Sequence, residues 1–200
     1  MLYIFDMGGV VTTDAAAVEL QMERVLGLAP GGFLECCGRP EGVGSDGADL
    51  LAMCSDGTIS SKEFWRMFSE RSGRTVTTDW WHWLFHPVRN ENTCAIIRAL
   101  RKQGYRVVCG TNTIDSHYFN HLERGDYALF DQTYASCFMG VSKPDLAFWK
   151  LILTAERVEP SECVFIDDKK INCDAASSLG IYSIEFTTAE HLAHTLGVQL

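Results

Sequence analysis

Beyond residue 90 the chain alternates helical and strand signals, and few folds accommodate that alternation. A helical pattern over 92–103 stops at Gly104, and Tyr105-Arg106-Val107-Val108-Cys109 follows as a strand. A helix near 116–123, a short strand near 133–136 and a helix over 146–155 come next. Cys163-Val164-Phe165-Ile166 is a short apolar strand, followed by a helix over 171–178, a strand over 181–186 and a last helix near 189–196. Strands separated by helices pair through crossovers, not hairpins, so the pattern predicts an α/β fold with a Rossmann-like parallel sheet.

The first strand stands far from the others in sequence. Leu2-Tyr3-Ile4-Phe5 is apolar throughout, as a strand buried on both faces is, and it ends at Asp6 shortly before the pair Gly8-Gly9. Glycines there let the backbone turn sharply and approach a ligand. From here to Arg89 the strand signal is missing. Thr12, Thr13 and Asp14 offer N-caps to a helix over 15–26, Ser60 and Glu63 have capping-box spacing, and a short helix is expected over 79–85. The expected organisation is a core of residues 1–14 and 89–200, interrupted by an inserted helical cap of residues 15–88.

Composition narrows the partners. Of 200 residues 46% are hydrophobic, enough for a sizeable core, and the net charge of −9 argues against a nucleic-acid or anionic-membrane surface. Met1 leads directly into the first strand without a basic leader or a long apolar stretch, which predicts a cytoplasmic protein. The eight cysteines are scattered with no C-x-x-C pair, so they are expected as buried thiols.

In a parallel sheet, ligands bind at the carboxyl ends of the strands. Three strands here end in polar groups: Asp6, then Gly110-Thr111-Asn112-Thr113, then Asp167-Asp168; Lys143 stands just before a helix and is delivered to the same edge. Three carboxylates that close repel one another unless a cation neutralises them, and Mg²⁺ is the natural candidate, since it takes one or two carboxylates and leaves room for a phosphate oxygen. A threonine hydroxyl and a lysine ammonium beside a carboxylate nucleophile suit the holding of a phosphoryl group.

These strings resemble the four motifs of the haloacid dehalogenase superfamily. Phe5-Asp6-Met7-Gly8-Gly9-Val10-Val11 is similar to its first motif, Gly110-Thr111-Asn112-Thr113 to the second, Ser142-Lys143-Pro144-Asp145 to the third and Phe165-Ile166-Asp167-Asp168 to the fourth. The insertion resembles a type 1 cap. The pattern is closest to the branch of α-D-glucose-1-phosphate phosphatases and the amino-terminal domain of epoxide hydrolases. The resemblance implies that Asp6 attacks phosphorus to form an aspartyl-phosphate, that Thr111, Asn112 and Gly9 contact the substrate, and that Lys143 stabilises nucleophile and phosphoryl group. It also implies that Asp6, Asp168 and the Gly8 carbonyl ligate Mg²⁺, with Asp167 in the metal set or ordering its shell.

One departure stands out. Most phosphatases of the superfamily carry an acid two residues after the nucleophile, where this chain has Gly8. Such a group contributes about 10²–10⁴-fold. A good leaving group, as in a sugar 1-phosphate, offsets its loss, and members of the resembling branch also have glycine there; a substitute acid, with Asp14, His117 or a cap residue as candidates, is the other route. His117 is as readily a surface or capping histidine, Trp80, Trp81, Trp83 and Phe85 read first as cap core, Cys36-Cys37 as a buried helix end, and Arg39 as a solvated cation. The expectation is a Mg²⁺-dependent phosphatase of small phosphomonoesters, monomeric or homodimeric, under a mobile cap. The alternatives are a binding protein that has lost turnover and a 2-haloacid dehalogenase, which the carboxylate pair at 167 and 168 disfavours.

Overall fold

The computed structural model describes residues 1–13, 18–38 and 48–199. Five parallel strands form one sheet: β1 (Leu2–Phe5), β2 (Arg106–Thr111), β3 (Gln132–Ala135), β4 (Cys163–Asp167) and β5 (Tyr182–Glu185). Their order is β3-β2-β1-β4-β5, so the first strand of the chain is the central one. The chain winds outward from β1 on one side and returns to build the other. That reversal opens a crevice at the carboxyl end of β1, where Asp6 lies.

β1 is apolar at every position because both faces of the sheet are covered. Leu2 and Ile4 point into a cluster with Phe148, Trp149 and Ile152, whereas Tyr3 and Phe5 point into a second with Ile96, Ile97 and Leu192. The covering helices are α6 (Glu91–Lys102) and α11 (Ala189–Leu196) on one face, with α9 (Leu146–Glu156) and α10 (Lys170–Ser178) on the other. β2 runs two residues further than its apolar stretch predicts, through Gly110 and Thr111, which pair with Tyr134 and Ala135. Gly110 is a glycine for a steric reason: a Cβ there would lie 2.9 Å from Ile4 Cγ2.

Five helices occupy the described residues between β1 and α6: α1 (Val18–Leu26), α2 (Gly32–Cys36), α3 (Leu50–Ser55), α4 (Ser61–Ser72) and α5 (Trp80–Leu84). They share an apolar cluster built on Phe33, Phe64, Phe68 and Trp81, which also takes in Ile114 from beyond β2. Ser60 caps α4 by accepting from Glu63 N–H at 3.2 Å, but the Glu63 carboxylate turns to Arg66, so only half of the expected capping box is seen. Thr12 and Thr13 cap no described helix. Thr12 forms an antiparallel bridge with Arg89, and Thr13 N–H donates to the Val88 carbonyl at 2.9 Å, pairing the segment leaving the sheet with the one returning. Asp14 and Arg39 lie outside the described residues.

Three further helices, α7 (Asp115–Glu123), the short turn α8 (Ser136–Met139) and a 3₁₀ turn over Asp126–Leu129, complete the layer beside the inserted helices. Side chains of α7 and α8 stitch the two parts together. Asp115 accepts from Ser61 N–H at 3.0 Å and from its hydroxyl, Ser116 bonds Asp79, Asn120 donates to the carbonyls of His82 and Phe85, and Ser136 donates to the Ser55 carbonyl. No helix among the described residues is long and apolar enough to cross a membrane.

Candidate active site

The strand ends converge as their chemistry requires. Asp6 is fixed by its own N–H, which donates to the Ile166 carbonyl on β4 at 2.8 Å. Lys143, buried on the loop before α9, places its Nζ 2.8 Å from Asp6 Oδ1, 2.7 Å from Asp167 Oδ2 and 2.9 Å from the Gly110 carbonyl. Phe148 and Phe165 lie beneath the same ammonium, 5.8 and 5.5 Å from it. Burial by itself lowers the Lys143 pKa, but Asp6 and Asp167 outweigh it and hold the pKa above the ordinary lysine value. Burial pushes Asp6 up to about 6, against the pull of Lys143 and with the help of Asp167.

The two adjacent carboxylates occupy different environments. Asp167 is saturated: besides Lys143 it accepts from Asn172 Nδ2 at 2.9 and 3.1 Å and from Lys169 N–H at 2.9 Å. Asp168 is not. Its Oδ1 is buried without a partner, and burial together with Asp167 raises its pKa. Ligand atoms of Asp6, Asp167 and Asp168 all lie within 4.8 Å of one another. Three carboxylates against one ammonium leave two negative charges, and an orphaned oxygen among them marks where a hard cation fits.

Around this cluster lies a cavity of about 210 Å³ lined by Asp6, Gly8, Thr111, Lys143, Asp168 and His117, among others. Asn112 also borders it, but its side-chain amide is spent on the backbone of Lys143, donating to the carbonyl and accepting from the N–H at 2.8 Å each. That exchange locks the lysine loop to the end of β2. Gly9 does not line the cavity, and its N–H donates to the Thr12 carbonyl at 2.7 Å; its backbone packs against Asp168 instead.

Several cavity residues are not evident from the motifs. Asn172 sits on the first turn of α10, five residues after Asp167, and its position is readable only as a helix turn folding back on a strand end. His121 joins His117 on the cavity wall. Their spacing of four residues is the one signal in the sequence that both face the same way. His121 is held by Asp126 at 2.8 Å, and Asp126, wholly buried, also pairs with Arg89 and Arg124. Of the aromatic group at 80–85, Phe85 reaches the cavity, Trp81 belongs to the apolar cluster of the inserted helices and Trp83 is exposed. Cys37 is buried in that same cluster with Cys36 against it, away from the cavity.

A carboxylate at the switch point of a parallel sheet, with a buried lysine and a second carboxylate pair beside it, is the arrangement found here at the core of a hydrolase fold. The chain belongs to the haloacid dehalogenase-like hydrolase family, whose model matches residues 1–180. It is 30% identical over 205 residues to sesquiterpene phosphatase astK of Aspergillus oryzae, covering 92% of this chain and 88% of that protein. It is 27% identical to mouse acyl-CoA dehydrogenase family member 10 over 98% of this chain, but spans only 19% of that longer protein. Among solved structures, a HAD family enzyme of Bacteroides thetaiotaomicron in complex with magnesium and inorganic phosphate superposes with a TM-score of 0.75 at 24% identity, over 96% of this chain and 98% of that one.

Proposed function

We propose that the protein is a Mg²⁺-dependent phosphatase of small phosphorylated metabolites, with sugar 1-phosphates as the preferred class. The observation that carries this reading is the Lys143 ammonium bridging Asp6 and Asp167 beside the unpartnered Asp168 oxygen. Asp6, Asp168 and the carbonyl of Gly8 would hold the ion, and Asp167 would orient Lys143. When bound, the ion neutralises charge between the carboxylates and the phosphoryl oxygens. Asp6 attacks phosphorus, the bond to the leaving oxygen breaks with its electron pair, and water then cleaves the aspartyl-phosphate. Lys143 keeps Asp6 ionised and aimed, and Thr111 offers its hydroxyl to a phosphoryl oxygen.

The relatives support the chemistry: one is a phosphatase by name, and one was crystallised with magnesium and phosphate. The choice of substrate rests on two features of this chain. Gly8 supplies no acid, which favours a leaving oxygen that departs readily, such as an anomeric one. A cavity of about 210 Å³ lies below the usual range for ligand pockets, so it suits a small ester better than a terpenyl one. In a panel of phosphomonoesters with Mg²⁺, glucose 1-phosphate is expected to exceed glucose 6-phosphate in kcat/KM, and Asp6→Asn to abolish turnover. Metal-independent phosphate release by that variant sinks the mechanism, and a preference for the 6-phosphate sinks the leaving-group reading.

A further inference from the structure

A readily departing oxygen eases only the first half of the reaction proposed above. In the second half water attacks the aspartyl-phosphate, whatever the substrate was, and a base that takes the water's proton contributes about 10²–10⁴-fold. Gly8 supplies none. Among the described residues on the cavity, Asp6 is itself the phosphorylated group, Asp168 is engaged by the ion in the same reading, and the lysines donate and do not accept. Nε2 of His117 is sealed from solvent and has no partner. His121 remains, one turn further along α7.

His121 is half of a carboxylate–histidine pair. Its Nδ1 lies 2.8 Å from Asp126 Oδ2, and Gly125, at φ +71°, makes the turn after α7 that brings Asp126 back to the ring. Asp126 is wholly buried and also accepts from the guanidiniums of Arg89 at 2.5 Å and Arg124 at 3.0 Å. A carboxylate held by two guanidiniums is ionised and can only accept, so the proton between it and His121 belongs to Nδ1. That fixes the tautomer and leaves the basic lone pair on Nε2. Nε2 bonds no described residue, yet unlike Nε2 of His117 it is not sealed from solvent. Since His121 is otherwise buried and lines the cavity, the ring edge opposite Asp126 is presented there. Burial outweighs Asp126 and lowers the His121 pKa, so the imidazole rests neutral, as a base must. Resting on the phosphatase reading, we infer that His121 is the general base of dephosphorylation, with Asp126 the residue that positions it. Nε2 takes a proton from the water whose oxygen attacks phosphorus, and the bond from phosphorus to Asp6 breaks with its electron pair returning to the carboxylate. The proton then passes to solvent, replacing the one that the departed alkoxide took up.

The test is rapid-quench kinetics with Mg²⁺ and 4-nitrophenyl phosphate. His121→Gln keeps an amide donor for Asp126 and removes the base. We expect its steady-state kcat to fall about 100-fold or more, after a burst of nitrophenol equal to the sites present and with a phosphoryl group trapped on Asp6. Glucose 1-phosphate passes through the same intermediate and should turn over at the same reduced kcat. Asp126→Asn turns an amide donor toward Nδ1 and reverses the tautomer, so it should show the same burst. An unchanged kcat, or a fall with neither burst nor phosphorylated Asp6, overturns the assignment; the second outcome is what a merely structural His121 gives. If neither variant folds, the unaltered protein decides. Its phosphorylated form should decay more slowly in heavy water, because a proton moves in that step, and equal decay in both solvents overturns the assignment. If the unaltered protein is never phosphorylated on Asp6, the phosphatase reading fails first and separately.

Discussion

A Cβ built on Gly9 lies 2.6 Å from Asp168 Oδ2, and the residue's φ is +79°. Both facts exclude any side chain while Asp168 points where it does. Gly9→Ala should therefore displace the Asp168 carboxylate, whose buried Oδ1 has no partner. We expect Mg²⁺ affinity, measured by titration calorimetry, to fall about tenfold or more, with a stability loss of about 1 kcal/mol or more from the backbone strain. Unchanged Mg²⁺ binding removes Asp168 from the ligand set. At this scale the sequence is eloquent about identity and silent about division of labour. The resemblance puts Asp168 on the metal and leaves Asp167 either beside it or ordering its shell; Asn172, Lys143 and Lys169 separate the two by filling the valences of Asp167.

At the scale of elements, the inserted helices are tied to the core through α7 and α8. Asp115 holds two groups of Ser61 at the start of α4, and Asn120 holds the end of α5 through two carbonyls. Removing one side of a buried hydrogen-bonded set costs about 1–3 kcal/mol. For Asp115→Ala we expect faster amide exchange across the first turn of α4, with the amides of β1 and β4 unchanged. Uniform acceleration through the sheet instead means that the inserted helices and the sheet open as one unit. The partners in these ties stand 35 to 81 residues apart, and nothing in either local sequence marks the other.

The whole molecule integrates its buried titrations. Burial lowers His117 to about 3, against an ordinary value of 6.5, and also lowers His121 despite Asp126. Between those two values the unfolded chain binds the proton that folded His117 refuses, so stability is full above about pH 6.5 and declines as the pH falls, by about 1.4 kcal/mol per unit for each such group. Asp126 adds to this at lower pH. Burial opposes its ionisation, but His121, Arg89 and Arg124 prevail and depress its pKa, so its contribution holds above the ordinary value of 3.8 and is lost as the pH falls through the folded value. Asp6 acts in the opposite sense between 3.8 and about 6, where the folded form holds the extra proton. Denaturant melts of the wild type and His117→Phe separate the terms: the variant should lose less stability between pH 7 and pH 5. Parallel pH profiles contradict a buried neutral His117.

The sequence by itself determined the parallel α/β core, the helical insertion and the four strand-end and loop motifs. Each is written in a short contiguous string whose period, glycine breaks or terminal carboxylate carries its meaning locally, as in Leu2–Phe5 followed by Asp6. Tertiary structure alone decided how those residues share the work. It placed β1 at the centre, saturated Asp167 and left Asp168 open, turned the Asn112 amide onto the Lys143 backbone, drew Gly9 away from the cavity, and brought His117 against Phe85. These are outcomes of distance and valence between side chains far apart along the chain, and a hydrogen-bond capacity is filled or left open only once all competing partners have been packed.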